Sequence, residues 1–341
     1  MTAAIQAEGL VKHFGDVHAV NGVDLDVPEG TVLGLLGPNG AGKTTTIRML
    51  ATLLRPDAGW ARVAGHHISD RPDLVRESIG LTGQYSTVDL DISGRENLYL
   101  FARLLDFPRR QAWARVDEML ERLALTEVAG RLVSTYSGGL RRRLDLAASL
   151  MGHPKVLYLD EPTAGLDPHS RNGLWEIVRE LVAQGTTVLL TTQYMSEAEE
   201  LADHVAVMDD GAVIASGPIS ELCAKVGGTV LRVRPAPSVS PNAVASAFTD
   251  AGLGLARVED ETGVVWLAIS EDDQLTRAVR TLGEAGLPLA SVDTHTPSLD
   301  EVFLALTGRT PNTATRRKAG EESDEHFADR PTHYGPGQVD D

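Results

Sequence analysis

One segment constrains this chain more than any other. Gly37-Pro38-Asn39-Gly40-Ala41-Gly42-Lys43-Thr44-Thr45 fits the pattern GxxxxGK[ST]. It follows an apolar run at 31–36 that reads as a buried strand, and it opens a helical stretch over 44–54. In that context backbone N–H groups and the positive end of a helix converge on a phosphate. Glycines 37, 40 and 42 let the backbone approach the phosphate oxygens, Lys43 reaches the β and γ oxygens, and the Thr44 hydroxyl can hold Mg²⁺. Only five of the 31 basic residues are lysine (Lys12, Lys43, Lys155, Lys225 and Lys318), so a lysine inside the motif carries extra weight.

A second segment answers the first. Val156-Leu157-Tyr158-Leu159 is an apolar strand that ends in Asp160-Glu161-Pro162. Asp160 at the carboxyl edge of a buried strand faces the phosphate loop and can hold Mg²⁺ through water. Glu161, one step further on, can polarise an attacking water as a general base.

Around these segments, residues 5–220 alternate apolar runs (31–36, 156–159, 187–191, 204–208) with amphipathic stretches. Strand–helix alternation predicts a parallel sheet covered by helices. Residues 93–150 are almost purely helical and read as an insertion, with helices over 95–105, 109–123 and 139–151. From about 228 the texture changes: strands at 229–234, 264–270 and 287–294 and helices at 243–251, 273–286 and 297–306 suit a small ferredoxin-like β-α-β-β-α-β unit. After Gly308 periodicity stops. Residues 319–341 hold seven acidic side chains and one arginine, which marks a disordered tail.

The 341 residues suit two domains plus a remainder, and the formal charge of −17 argues against a general nucleic-acid binder. The single cysteine, Cys223, cannot form an internal disulfide. No apolar run approaches the ~18 residues of a membrane-spanning helix, and the N-terminus lacks the basic and apolar regions of a signal peptide. A cytosolic location is the expectation. His66-His67 has no further ligands at metal-binding spacing and reads as a turn after a strand.

A third segment, Tyr136-Ser137-Gly138-Gly139-Leu140-Arg141-Arg142-Arg143, resembles the LSGGQ signature of ATP-binding cassette (ABC) transporter ATPases in a YSGGL form. The resemblance covers residues 5–220, with the motifs in the family's order and spacing. Gln84 sits at the Q-loop, Ala164-Gly165-Leu166-Asp167 matches the D-loop, and Phe14 occupies the aromatic position that stacks on adenine. The resemblance implies an α/β fold, the P-loop NTPase cassette with a mixed sheet core and a helical subdomain, here with a small α+β C-terminal domain. The boundaries expected are 1–226 for the cassette, 227–308 for the accessory domain and 309–341 for the tail.

It also implies ATP and Mg²⁺ as cofactors, with residues 37–45, Phe14, Gln84 and Asp167 on the nucleotide and Thr44, Gln84 and Asp160 on the metal. Two copies would pair head to tail, with Ser137, Gly138 and Gly139 of one contacting the γ-phosphate held by the other's Lys43. A solvated face is the plain reading of arginines 141–143, with at least one of them expected to be structural. One departure stands out: where the family usually has histidine contacting the γ-phosphate, this chain has Gln193, which can donate a hydrogen bond but cannot titrate near neutral pH.

Gln193, the YSGGL-Arg-Arg-Arg variant and the segment Pro297-Ser298-Leu299-Asp300-Glu301-Val302-Phe303-Leu304-Ala305-Leu306-Thr307-Gly308 resemble the narrower group of daunorubicin/doxorubicin-resistance ATPases. That group pairs with a separate multi-spanning permease, which contacts the small-molecule cargo; residues 85–100 would receive it. The reading is an ATP hydrolase that powers drug export from the cytoplasmic face of the membrane through that permease. The rivals are a permease-free ABC ATPase acting on ribosomes or DNA, a non-hydrolysing ATP binder, and an importer subunit.

Overall fold

The computed structural model describes residues 2–83, 86–226, 229–259, 262–269, 273–295 and 297–307. Gln84 and the 309–341 stretch lie outside them.

The chain opens with two long strands, β1 (Ala3–Phe14) and β2 (Val17–Pro28), paired antiparallel. In β2 every second residue from Val23 to Val27 is buried and the intervening aspartates face out, the period of a strand with one wet face. β3 (Val32–Leu36) is buried at every position and leads into the phosphate loop and α1 (Lys43–Leu50). This helix is shorter than the expected 44–54, because Thr52 turns into the left-handed region (φ 59) and Pro56 follows. β4 (Ala58–Val63) and β5 (His66–His67) complete a four-stranded antiparallel sheet in the order β2-β1-β4-β5. His66 and His67 thus lie on a short paired strand rather than in a turn. Among the described residues no group of three or more His, Cys, Asp or Glu is placed to hold a metal.

α2 (Pro72–Ser78) and β6 (Ile79–Thr82) precede the helical layer: α3 (Gly94–Leu104), α4 (Arg109–Arg122) and α5 (Gly138–Leu150). Ser93 and Glu96 form a capping box at the start of α3. Arg115 of α4 donates to the carbonyls of Leu150 and Met151 at the end of α5. The chain then returns to the sheet through β7 (Val156–Asp160), α6 (Pro168–Ala183), β8 (Thr187–Thr192), α7 (Met195–Leu201), β9 (His204–Asp209) and β10 (Ala212–Pro218). The main sheet runs β10-β9-β3-β8-β7-β6; β9, β3, β8, β7 and β6 are parallel, and β10 is an antiparallel edge. The mixed core expected of the cassette is present. The separate β1/β2/β4/β5 sheet adds to the parallel alternation read from the apolar runs.

After α8 (Ile219–Val226) come β11 (Thr229–Pro235), α9 (Pro241–Asp250), β12 (Arg257–Val258), β13 (Val265–Ile269), α10 (Gln274–Glu284) and β14 (Leu289–His295). Their sheet order, β12-β13-β11-β14, all antiparallel, is the ferredoxin-like arrangement. One face is packed by Val244 and Phe248 of α9 and Ala278 and Leu282 of α10. The last helix, α11 (Leu299–Thr307), does not join that core. Its Leu299, Val302 and Phe303 are buried among Met195 and Ala198 of α7, Leu222 and Cys223 of α8, and Leu36 at the end of β3. Glu199 of α7 accepts a hydrogen bond from the Leu299 backbone N–H at 2.8 Å.

Candidate active site

The carboxyl ends of four neighbouring parallel strands gather the sequence motifs on one edge of the sheet. β3 runs into Gly37, β8 into Gln193, β7 into Glu161, and β6 into Gly83. Ligands of open α/β sheets bind at this edge. Register brings Leu36 beside Thr192 and Asp160 beside Thr191, so the phosphate loop, Gln193 and the two acids lie side by side.

In the loop, Gly42 is the N-cap of α1 with φ 98, and a Cβ there would come within 2.4 Å of the Ala19 carbonyl oxygen. A Cβ on Gly37 would meet the Met208 carbonyl oxygen at 2.3 Å. Both positions therefore need glycine, for packing as well as for backbone conformation. The Lys43 ammonium is buried and donates to the carbonyls of Gly37 (2.7 Å) and Pro38 (2.9 Å), with a Glu161 carboxylate oxygen 3.8 Å away. Burial pushes the Lys43 pKa down, while the charges of Glu161 and Asp160 oppose that shift.

Asp160 is nearly inaccessible and is held by two threonine hydroxyls. The Thr44 hydroxyl lies 3.1 and 3.0 Å from its two carboxylate oxygens, and the Thr191 hydroxyl donates to Oδ1 at 2.6 Å. A hydroxyl and a carboxylate brought together beside a phosphate loop form an all-oxygen donor set that suits Mg²⁺. Glu161 takes a left-handed backbone (φ 49), costly for a residue with a side chain. Its N–H is held by the Thr191 carbonyl oxygen and hydroxyl, each at 3.1 Å. Neither Thr191 nor its link to both acids was among the sequence candidates. The polar Thr191-Thr192 pair ending an apolar strand is the one signal that points to it.

Phe14, Asn39, Gly40, Gly42, Lys43, Thr44, Thr45 and Glu161 line one cleft of about 480 Å³. Phe14 is half exposed at the end of β1, with the Lys12 ammonium 5.8 Å from the centre of its ring. Pro38 and Ala41 close the turn of the loop through an Ala41 N–H to Pro38 carbonyl bond.

Ser137 is the N-cap of α5, where its hydroxyl accepts from the Leu140 N–H at 3.3 Å. The two glycines that follow differ. A Cβ on Gly139 would strike the Ser170 hydroxyl oxygen at 2.4 Å, whereas one on Gly138 would have nothing closer than Leu166 at 3.9 Å. Asp167 caps α6, accepting from the Ser170 N–H (2.9 Å) and hydroxyl (2.6 Å), and these bonds hold its pKa below the usual carboxylate value. Of the three arginines, Arg142 turns inward and bonds backbone carbonyls.

A phosphate loop on a parallel sheet, a lysine inside it and two acids across from it define a nucleotide-binding cassette. The ABC transporter family pattern matches residues 20–164. The daunorubicin/doxorubicin resistance ATP-binding protein DrrA of Streptomyces peucetius is 49% identical, over 94% of this chain and 97% of that protein. A Nod factor export ATP-binding protein I of Burkholderia lata is 39% identical, over 90% of this chain and 98% of its own length. Among solved structures, an ATP-binding cassette of an ABC transporter in its ADP conformation superposes with a TM-score of 0.58 at 27% identity, covering 64% of this chain and 92% of that one. The chain belongs to the ABC transporter ATP-binding family and is an ABC-type ATPase.

Proposed function

We propose that this chain is the ATP-hydrolysing subunit of a drug exporter, driving a hydrophobic small molecule of the anthracycline kind through a separate multi-spanning permease. The observation that carries the ATPase half is the convergence of Lys43, Thr44, Asp160 and Glu161 at one cleft. Export and cargo rest on the names of the relatives, which reach across nearly the whole chain.

Phe14 stacks on the adenine, and the backbone N–H groups of residues 39–45 surround the phosphates. Lys43 leaves the Gly37 and Pro38 carbonyls to meet the β and γ oxygens. Thr44 and Asp160, with Gln84 as the expected third ligand, would hold Mg²⁺, whose charge would neutralise that of the phosphates. Water attacks the γ-phosphorus and the bond to the ADP oxygen breaks. Glu161 takes the proton of the water, a contribution of about 10²–10⁴-fold. Gln193 donates a hydrogen bond to the γ-phosphate.

A second copy completes the site head to tail. Ser137 and Gly138, at the N-terminus of α5, face the nucleotide of the partner, where the helix end favours an anion. Asp167 stands beside that junction on α6. Residues 85–100 receive the permease; Leu90 and Leu100 are exposed apolar side chains on this stretch. Among the described residues no helix is long and apolar enough to cross a membrane, so anchoring on the cytoplasmic face falls to the permease.

Cells that make this chain with its permease should accumulate less of a fluorescent anthracycline than cells making Lys43→Ala with the same permease. Equal accumulation would overturn the exporter reading.

A further inference from the structure

Arg142 makes an unusual set of bonds. Its side chain leaves the second turn of α5, the helix opened by Ser137, and crosses to the catalytic edge of the sheet. There Nε donates to the Pro162 carbonyl at 2.8 Å and Nη1 to the Gly83 carbonyl at 2.6 Å. Nη2 is shared between the carbonyls of Asp160 (3.0 Å) and Glu161 (3.1 Å). All three guanidinium nitrogens donate to backbone oxygens, at the last residue of β7 and in the segments that follow β6 and β7. It makes no ion pair within 4 Å among the described residues, although the carboxylates of Asp145, Asp160, Glu197 and Glu161 surround it electrostatically.

The Glu161 backbone shows why this matters. The residue sits at φ 49, a conformation that persists only where the surroundings over-determine it. Thr191 holds the peptide on its amino side through the Glu161 N–H; on its carboxyl side the Glu161 carbonyl accepts from Arg142 at 3.1 Å and from the Ala164 N–H at 3.3 Å, and Arg142 alone of these also reaches the Asp160 carbonyl. With both peptides held, the Cα–Cβ direction is set and the carboxylate is aimed into the cleft beside Lys43.

We infer that Arg142 is a positioning residue for hydrolysis: it aims the Glu161 carboxylate and ties that aim to the position of the helix that opens with Ser137 and Gly138. It touches no residue of the phosphate loop, so its removal acts on turnover and leaves nucleotide binding intact. The inference rests on Glu161 being the general base.

The test compares full-length Arg142→Ala, Arg142→Lys and Glu161→Gln with wild type. Steady-state turnover of ATP with Mg²⁺ is measured beside the Kd of a fluorescent ATP analogue and the thermal midpoint. Arg142→Ala should keep the wild-type Kd while kcat falls by about 100-fold, the scale expected when a reacting group is misplaced by an ångström. A cavity of about 420 Å³ lined by Ser86, Arg141, Arg142, Asp145 and Glu161 gives a small cation access to the vacated place, so millimolar guanidinium should restore part of kcat. Arg142→Lys should fold as wild type and keep an intermediate kcat, because an ammonium cannot reproduce the planar fork.

Wild-type kcat in both Arg142 variants would overturn the inference, as would kcat and affinity falling together without rescue by guanidinium. Should Arg142→Ala fail to fold, Arg142→Lys decides: wild-type kcat overturns the inference, and lowered kcat at wild-type Kd supports it. The two readings separate on Glu161→Gln. If that variant hydrolyses normally, the general-base assignment fails and this inference with it. If it is inactive while both Arg142 variants turn over normally, only the present inference fails.

Discussion

Gln193 follows the last residue of β8, beside the strand that leads into the phosphate loop, and holds the place where the family usually has histidine. A side-chain amide offers a donor without a charge that changes near neutrality. A hydrogen bond to a charged phosphate oxygen is worth about 1.5–3 kcal/mol, so Gln193→Ala should lower kcat roughly 10- to 100-fold with little change in ATP affinity. Unchanged turnover would remove Gln193 from the site. At this scale the sequence was most informative where the chemistry is local. Lys43 and Thr44 are legible because the glycines, the lysine and the hydroxyl are contiguous. Asp160 and Glu161 are legible because they end an apolar strand. Thr191 and Arg142 are not: one acts through cross-strand register and the other through carbonyls that the fold brings to it from 18 to 59 residues away.

Among the elements, α5 and α6 are held close by a missing side chain. Gly139 packs against Ser170, whose hydroxyl in turn bonds the Asp167 cap. Gly139→Ala must push these helices apart or displace that cap, at an expected cost of about 1–3 kcal/mol. Gly138→Ala, with space around it, should unfold at the wild-type temperature. Thermal unfolding of the two variants checks this; equal midpoints would contradict the packing. So the two glycines of one motif serve different ends, which sequence spacing alone does not reveal. Periodicity located α3, α4 and α5 to within a residue or two, because amphipathic helices announce their buried face. It did not separate out the first sheet, because β1 is irregular in burial and β2 alternates only from Val23 to Val27, while the parallel strands are continuous apolar runs.

Over the whole molecule, the helix order of the C-terminal stretch was legible and the docking of its last helix was not. The apolar residues of α11 look the same in sequence whether they pack on the ferredoxin-like sheet or elsewhere. In the structure they close the cluster behind α7, the helix that starts two residues after Gln193. The chain therefore returns to the cassette after building its third sheet. In the proposed function, ATP is bound at the Lys43 cleft, cleaved with Glu161 as general base, and enclosed between two copies. Size-exclusion chromatography of Glu161→Gln with ATP and Mg²⁺ tests it most directly. The account predicts a stable dimer that retains uncleaved ATP, whereas a monomer, or a dimer that has turned its ATP into ADP, would contradict it.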